Sequence, residues 1–290
     1  MKAESEFVID AVGLSVAYPN GVQAVDGVNF QARAGEFIAL LGSNGSGKTT
    51  LIKALVRLLK PSRGTIRVFD KDLDAWPAKE LYQRVGVVFQ NPDDQLFAST
   101  VEEDAAFGPR NLGLTQAQTL ERVEQALLSV GALSLRGRQV HELSFGEKKR
   151  VAVAGVLAMR PAILILDEPT AGLDPAGEWR MLELLGRLNR EEGLTIIMAT
   201  HYVDLLPLFA RRLCVLNRGR ILKTGSPSEI FSDGRLLSDA DLRLPHVAGL
   251  MEEFKRCDGA PIEGLPLTAV EARRELCRLL PELEGAHDEH

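Results

Sequence analysis

The sequence predicts an α/β protein, and three observations support this fold class. Short, wholly apolar runs alternate with helical patterns, which is typical of buried parallel strands connected by helices. A glycine-rich loop at residues 42–49 lies between one such run and the start of a helix. Another apolar run, residues 162–166, ends in two adjacent carboxylates, Asp167 and Glu168. Open α/β sheets usually carry ligand-binding groups at such strand ends, so these residues are candidates for a site.

Composition and charge limit the classes of protein to consider. The 290 residues are 45% hydrophobic and 26% charged, which suits one large globular domain with an appendage. The net charge of −6 argues against a nucleic-acid partner and against docking on anionic lipid through basic residues alone. No apolar run approaches the ~18 residues that cross a bilayer. Residues 1–6 include two acidic side chains and do not resemble a signal peptide. Cys214, Cys257 and Cys277 are expected to be reduced thiols of a cytoplasmic protein.

Residues 42–49 have the pattern G-x-x-x-x-G-K-[ST], which is the phosphate-binding loop. Its glycines let successive N–H groups approach phosphate oxygens, and the following helix directs its N-terminus at the anion. Lys48 supplies a cation to the terminal phosphates, and the Thr49 hydroxyl is a ligand for Mg²⁺. A glycine-rich turn without a ligand is the alternative, and the strand–loop–helix context argues against it. The residues predicted to hold a nucleotide here are Gly42, Ser43, Asn44, Gly45, Ser46, Gly47, Lys48, Thr49 and Thr50.

The other elements follow from periodicity and from chain breakers. Irregular alternation at residues 7–18 and 22–30 predicts an early antiparallel sheet. The helix after the loop is expected to end near Lys60, because Pro61 cannot continue it. Residues 91–144 carry no strand signal and are predicted to form a helical insert. Later strands are predicted at residues 64–69, 84–89, 162–166 and 195–199, with a hairpin at residues 213–222.

Capping patterns predict where two helices of this region begin. Thr115 with Gln118, and Ser144 with Glu147, fit the pattern in which a hydroxyl and an acid or amide cap each other's N–H groups. The helix start at Ser144 therefore has N–H groups available to an anion. The charged triplet at residues 148–150 is interpreted as a solvated helix face.

Polar groups at the later strand ends point to metal and acid–base chemistry. Asp167 and Glu168 are costly to bury together without a cation, which favours a site for Mg²⁺ and water. His201 ends the following strand and can reach the same crevice. A satisfied core histidine is the commoner case, but this position favours a functional role.

The second half of the chain contains further helix signals. Asp174 caps a helix with Pro175 at its first position, and Thr268 begins a last helix. Beyond about residue 231 the chain is polar with scattered proline and glycine, so a small C-terminal appendage is expected. The buried face of the helix after Asp174 is predicted to contain Trp179, Leu182, Leu185 and Leu188.

In this order, the motifs resemble the ATPase subunit of ABC transporters. The resemblance covers residues 7 to about 230, and the combination of motifs is far more specific than the phosphate loop alone. The matching elements are the phosphate loop, Gln90 at a strand end, the signature at residues 143–147, the strand ending in Asp167 and Glu168, the D-loop at residues 171–174, and His201.

The resemblance implies a fold and its boundaries. It implies a P-loop NTPase with a RecA-like core, an N-terminal antiparallel β subdomain and a helical signature subdomain at about residues 91–158. The nucleotide-binding domain would span residues 1–232, and a small C-terminal extension would span residues 233–290. ATP and Mg²⁺ are the implied cofactors, and ATP would lie between two copies in a head-to-tail dimer.

The resemblance also implies roles for residues around the phosphates. Glu168 would be the general base for the attacking water. His201 would hold the γ-phosphate and orient Glu168, and Gln90 would contact Mg²⁺ and water while sensing the membrane partner. Thr49, Gln90 and Asp167 would be the metal-binding residues.

The remaining implied roles concern adenine and the second copy. Tyr18 would stack on the adenine ring. Ser144 and Gly146 would reach the γ-phosphate across the dimer, and Asp174 would link the two sites. The commoner signature has Gly in place of Phe145 and Gln in place of Glu147. Phe145 is therefore expected to face away from the nucleotide, and Glu147 to turn back into its capping bond.

A narrower resemblance, to energy-coupling-factor importers, is carried by residues 89–97 and 102–109. Residues 143–150 and 241–246 resemble the cobalt/nickel members more than the vitamin members. The implied partners are an integral membrane scaffold and a substrate-capture subunit, at the cytoplasmic face of the cell membrane. The groove after Gln90, with Leu96 and Phe97, would be the docking surface, unless these two side chains simply pack in the helical insert.

Several alternatives remain open from the sequence. The chain could serve a vitamin importer of the same type, or it could be a non-transport ABC ATPase. DNA-maintenance relatives need a long coiled coil before the signature, and translation-associated relatives carry two cassettes, so both are discounted. His287 and His290 in the tail are two potential metal ligands, but a disordered end is the expected reading.

Overall fold

Two sheets organise the chain in the computed structural model, which describes residues 7–280. The His287 and His290 tail therefore lies outside the described residues. The strands are β1 (Phe7–Ala17), β2 (Gln23–Arg33), β3 (Phe37–Leu41), β4 (Arg63–Val68), β5 (Lys71–Asp72), β6 (Val85–Val88), β7 (Ile163–Asp167), β8 (Thr195–Thr200), β9 (Arg212–Asn217) and β10 (Arg220–Gly225). The α-helices are α1 (Lys48–Leu55), α2 (Ala78–Arg84), α3 (Val101–Asn111), α4 (Gln116–Ser129), α5 (Phe145–Leu157), α6 (Pro175–Glu192), α7 (Leu206–Phe209), α8 (Pro227–Phe231), α9 (Gly234–Asp239), α10 (His246–Cys257) and α11 (Ala269–Leu279).

The larger sheet has the strand order β10-β9-β3-β8-β7-β6, and all its pairs except β10–β9 are parallel. Its central strands are apolar along their whole length because both faces are covered. On β3, Phe37, Ala39 and Leu41 join one apolar core, whereas Ile38 and Leu40 join the other. Continuous apolar runs are the signature of such a doubly covered strand, so the predicted α/β class is confirmed.

The smaller sheet is antiparallel, with the order β2-β1-β4-β5. It packs its inner face against α1, in the same core as the second face of the larger sheet. The predicted early antiparallel sheet is therefore confirmed. Helix α1 is shorter than predicted: it ends at Leu55, and Arg57 then takes a positive φ of 61°. The chain thus leaves the helix before Pro61 is reached.

Helices α3, α4 and α5 pack on one another and lie between β6 and β7 in the chain. The predicted capping boxes at Thr115 and Ser144 are both present, and Thr100 with Glu103 forms another. An isolated bridge between Thr100 and Gln139 closes the insert. Each box satisfies N–H groups that the first turn of a helix leaves free.

The C-terminal part differs from the sequence prediction in one respect. Helices α9 and α10 form where a polar, irregular segment was expected. Helices α10 and α11 share a small apolar cluster of Met251, Ile262 and Ala272.

The prediction that Trp179 lies on the buried face of α6 is wrong: its side chain is 44% exposed, and it lies edge-on against Phe209.

Within residues 7–280, no helix combines the length and apolar character needed to span a membrane. The same described residues contain no group of three or more His, Cys, Asp or Glu side chains arranged to hold a metal ion. All three cysteines are free thiols, as predicted, and burial raises the pKa of Cys214 to about 11.

Candidate functional site

The phosphate loop, residues 42–49, connects β3 to α1 and is held by neighbouring backbone. A Cβ at Gly42 would lie 2.2 Å from the Leu216 carbonyl oxygen, and a Cβ at Gly47 would lie 2.4 Å from that of Ala24. Gly47 also has a φ of 107°, which side chains rarely adopt. The Gly219 N–H donates to the Ser46 carbonyl at 2.8 Å. Only glycine fits these places, so strands outside the loop fix its shape.

Lys48 is held inside this loop, with only 6% of the residue exposed. Its ammonium donates to the carbonyls of Gly42 (2.7 Å) and Ser43 (3.2 Å). It also lies 3.5 Å from the Glu168 carboxylate, which is equally buried. The loop therefore places a fixed positive charge beside the carboxylates that end β7.

Thr49 and Asp167 meet directly: the Thr49 hydroxyl donates to Asp167 Oδ2 at 2.7 Å. Burial raises the pKa of Asp167, and the hydrogen bond from Thr49 opposes that rise. The other oxygen, Asp167 Oδ1, is buried without a hydrogen-bond partner. A hydroxyl and a carboxylate with a free oxygen are ligands that Mg²⁺ prefers, so these residues fit the metal.

Glu168 is held from several sides at the carboxyl end of β7. Its Oε1 lies 3.0 Å from His201 Nδ1, so the two predicted catalytic groups are in contact. Its Oε2 is buried without a hydrogen-bond partner. The backbone of Glu168 has a φ of 48°, in the left-handed region that non-glycine residues seldom occupy. A buried carboxylate with one fixed and one free oxygen is suited to accept a proton from water.

Sequence reasoning missed Lys149. The interpretation of residues 148–150 as a solvated face is wrong here, because Lys149 is only 3% exposed. Its ammonium donates to the Glu168 backbone carbonyl at 2.8 Å. Burial lowers the pKa of Lys149 to about 8, against the opposing effect of the Glu168 and Asp167 carboxylates. Its position four residues before buried Val153 was the available signal, since residues four apart share a helix face.

The other predicted loop-side residues lie nearby with fewer contacts. The Tyr18 hydroxyl is 3.0 Å from Thr50 Oγ1. This contact connects the residue that follows β1 to helix α1. Asn44 and Gly45 are exposed at the tip of the loop. Gln90 is exposed two residues beyond the end of β6, which lies beside β7 in the sheet.

The signature forms the N-terminus of α5, with Ser144 and Phe145 exposed and Leu143 buried. Glu147 turns back as predicted: its Oε2 accepts hydrogen bonds from the Ser144 N–H (2.8 Å) and hydroxyl (2.9 Å). The backbone hydrogen bond from Ser144 lowers the pKa of Glu147, and Arg138 adds an ion pair at 3.4 Å. The additional carboxylate in this signature is thus bonded within the helix cap and to Arg138.

Phe145 packs against the D-loop, residues 171–174. A Cβ at Gly172 would lie 2.8 Å from the Phe145 ring, and the Lys149 ammonium is 5.4 Å from the ring centroid. The side chain is still 40% exposed. It therefore fills space between α5 and the D-loop.

Ser144, Gly146 and Asp174 line one open cleft of about 1050 Å³ between α5 and α6. Among the described residues, no member of the phosphate loop lines this cleft. Asp174 caps α6 by accepting a hydrogen bond from the Gly177 N–H at 2.6 Å. The predicted site residues therefore form two separate groups within one chain.

The predicted docking pair, Leu96 and Phe97, is divided by the structure. Leu96 is buried in the core, whereas Phe97 is 65% exposed. Phe97 lies edge-on to Phe107, with ring centroids 4.7 Å apart. Both rings line an apolar cleft of about 360 Å³ that also includes Tyr82 and Met159. Ordinary packing explains Leu96 but not the exposed aromatic pair.

Comparison with known proteins assigns this arrangement to a family. A model of the ABC transporter family matches residues 25–171. An energy-coupling factor transporter ATP-binding protein, EcfA of Methanocaldococcus jannaschii, is 45% identical over 278 residues, which are 95% of this chain and 99% of that protein.

Solved structures agree with this assignment. CbiO1 of Clostridium perfringens, part of the ABC transporter complex CbiONQ, is 41% identical with a TM-score of 0.74, and the match covers 86% of this chain and all of that one. A dimeric ATP-binding cassette, MJ0796, bound to ADP and phosphate, is 25% identical with a TM-score of 0.69, over 76% of this chain and 98% of that one. The chain therefore belongs to the ABC transporter family, as an ATP-binding subunit whose ATP hydrolysis is coupled to transport.

Proposed function

We propose that this chain is the ATPase subunit of an energy-coupling-factor importer for cobalt or nickel ions, at the cytoplasmic face of the membrane. The observation that carries the ATPase part is the Glu168 carboxylate. One of its oxygens contacts His201 and Lys48, and the other is buried without a partner. Next to it, Thr49 and Asp167 form a second polar pair.

The phosphate loop holds the triphosphate in this proposal. Lys48 and the N–H groups of the loop bind the β- and γ-phosphates. The Lys48 ammonium now bonds to the Gly42 and Ser43 carbonyls, so it exchanges one of these partners for a phosphate oxygen. Tyr18 stacks on the adenine, and its hydroxyl contact with Thr50 fixes it beside the loop.

Thr49 and Asp167 would hold Mg²⁺, with Gln90 as a further contact. The ion would supply charge neutralisation at the terminal phosphates. Asp167 Oδ1, which has no partner, is the oxygen available for this role. Gln90 is exposed at the neighbouring strand end, so it can contact both the metal site and a membrane partner.

Glu168 accepts the proton of the attacking water through its free Oε2. His201 holds the other carboxylate oxygen and contacts the γ-phosphate. A positioned general base contributes about 10²–10⁴-fold to a rate, which sets the size of effect that Glu168 has to supply.

A second copy completes the site. Ser144 and Gly146 of one chain contact the γ-phosphate bound by the other chain, and Asp174 links the two sites. Two observations support this: the signature lies apart from the phosphate loop within one chain, and the similar cassette MJ0796 forms a dimer. Two-fold symmetry then gives two equivalent sites.

The membrane partners are a scaffold subunit and a substrate-capture subunit. The exposed aromatic pair Phe97 and Phe107, with the cleft beneath it, provides a surface for a helix of the scaffold. Cobalt or nickel as cargo rests on the resemblance of residues 143–150 and 241–246 to metal-importing members. Similarity to CbiO1 supports the same choice.

The test is transport by the assembled complex. The chain is purified with its membrane subunits, reconstituted in vesicles, and supplied with ATP and Mg²⁺. We expect uptake of Co²⁺ or Ni²⁺ by the wild-type complex and none by the matched E168Q complex. Uptake of a vitamin in place of these ions would show the alternative importer class, and ATP hydrolysis without any uptake would contradict the transport assignment.

A further inference from the structure

Lys149 is buried at the junction of three segments that the ATPase reaction uses. It lies on α5, about one turn after the first residue of that helix, Phe145. Its ammonium donates to the backbone carbonyl of Glu168 at 2.8 Å. The same ammonium lies over the ring of Phe145, which packs on the D-loop. One side chain thus contacts the general base's own residue and connects it to the signature helix.

The backbone at Glu168 needs such support. Its φ of 48° is costly for a non-glycine residue and persists only where the surroundings determine it. The Glu168 N–H donates to the Ala199 carbonyl on β8 at 2.9 Å, so one side of the residue is fixed by the sheet. The carbonyl on its other side accepts hydrogen bonds from the Lys149 ammonium at 2.8 Å and from the Ala171 N–H of the D-loop at 3.2 Å. Loss of the shorter, charged bond from Lys149 would weaken this anchor and let the residue relax and move the carboxylate.

An unrelated role for Lys149 fits these contacts less well. A lysine that merely covered the surface would extend its ammonium to solvent, because burying a cation is costly. Its neighbour Lys148 is partly exposed and pairs with the exposed carboxylate of Asp93 at 2.6 Å. Lys149 instead points inward, and the Glu168 carbonyl is its hydrogen-bond acceptor among the described residues.

We propose that Lys149 is a positioning residue, which fixes the Glu168 backbone and couples the general base to the signature helix of its own chain. This rests on the proposed function. In the dimer, that signature contacts the ATP held by the partner, whereas Glu168 acts on the ATP held by its own loop. Lys149 therefore connects the occupancy of one ATP site with the geometry of the base in the other.

The first experiment separates catalysis from binding. K149M keeps the unbranched side chain as far as its Cε position but removes the donor and the charge. We expect kcat to fall about 10- to 100-fold, as for a small misplacement of a catalytic group. The KM for ATP should stay near the wild-type value, because Lys149 is not in the phosphate loop. K148M, on the same helix, is the matched control and should leave kcat unchanged.

K149Q is the second variant, in case K149M does not fold. Its amide keeps an N–H donor on a side chain that is one atom shorter. We expect kcat to fall about threefold or more, but less than in K149M, with thermal stability and ATP-dependent dimer mass retained. Wild-type kcat in whichever variant folds, or a change confined to KM, overturns the proposal.

The second experiment tests whether Lys149 acts through Glu168. We expect K149M to leave the residual hydrolysis of E168Q unchanged, because the carboxylate it positions is already gone. If K149M lowers the E168Q rate by the same factor as the wild-type rate, Lys149 does not act through the base. Failure of the proposed function would appear differently: the wild type itself would not hydrolyse ATP, or E168Q would retain full turnover.

Discussion

The phosphate loop and the signature are both helix N-termini that present backbone N–H groups, yet their surroundings are opposite. Lys48 is buried and bonded to two carbonyls of its own loop, and Gly42 and Gly47 contact neighbouring strands. The signature is exposed at Ser144 and Phe145, and its internal bonds form only the helix cap. The first group is complete in one chain, and the second presents an open surface.

This difference indicates that the phosphate loop and the signature have different functions in the site. Contacts within the chain determine the shape of the phosphate loop, so we expect a single chain to bind ATP. The shape of the signature comes from a local capping box, and its exposed surface is the one that we propose contacts a second copy. Changes in the loop should therefore affect folding and ATP binding, whereas changes in the signature should affect dimer formation and turnover but not ATP binding by the single chain.

The largest expected effect comes from Gly146→Asp. A carboxylate on the signature surface would repel the partner's triphosphate, so turnover should fall at least about 100-fold. Folding should persist, because an acid is favourable in the first turn of a helix. Steady-state ATPase assays and ATP binding to the single chain measure the two effects. Gly137→Asp, in open space outside the site, is the control. Normal turnover by Gly146→Asp would remove the signature from the proposed site.

Gly47→Ala should mainly affect folding. Its Cβ would meet the Ala24 carbonyl at 2.4 Å while φ is 107°, so we expect a loss of about 3 kcal/mol or more in the free energy of unfolding. Gly45 has a φ of 80°, but no atom lies within 4 Å of the position of an added Cβ. For Gly45→Ala we therefore expect the free energy of unfolding to fall by about 1–2 kcal/mol. Urea unfolding compares the two. Equal losses would show that neighbouring strands do not shape the loop.

The lowered pKa of Lys149 predicts that the stability of the chain depends on pH. Its pKa is about 8 in the folded chain, against 10.5 for an ordinary lysine. Between these pH values the unfolded chain binds more protons, so the free energy of unfolding rises with pH, by at most about 1.4 kcal/mol per pH unit. Urea unfolding from pH 8 to 10 should show a shallower rise in K149M. Identical pH profiles would mean that the buried ammonium is not destabilised in the folded chain.

Glu147→Gln should have the smallest effect. Glutamine also completes a capping box, so the helix start is kept. The carboxylate already bonds to Ser144 and Arg138, so its removal should change ATP affinity by less than about threefold. Nucleotide titration of both proteins measures this. A strong gain in affinity would show that Glu147 repels the triphosphate and is not turned into the cap.

The features predicted correctly from the sequence are mainly local ones. The capping boxes at Thr115 and Ser144 and the proline-led helix after Asp174 involve residues a few positions apart. The alternation of apolar runs and helices was enough for the α/β class, and the order of motifs was enough for the family. The contact of His201 with Glu168 also agreed, because neighbouring parallel strands bring their ends together.

The errors concern contacts between distant segments. Lys149 was read as solvated because a charged triplet usually is, but β7 provides a carbonyl to receive it. Trp179 fits an apolar periodicity, yet α7 covers only one edge of its ring. Helix α10 lies in a polar segment whose burial depends on α11 and on Ile262. The separation of the signature from the phosphate loop likewise follows from tertiary structure, which no local pattern reports.

The central claim is that one ATP site is made by two chains, and the mass of E168Q in solution tests it most directly. With ATP and Mg²⁺, slow hydrolysis should keep the nucleotide in place, and light scattering should give twice the 31.7 kDa mass of the chain. Adding Gly146→Asp should return the mass to that of one chain while ATP remains bound. An E168Q protein that saturates with ATP but keeps the mass of a single chain would contradict the account.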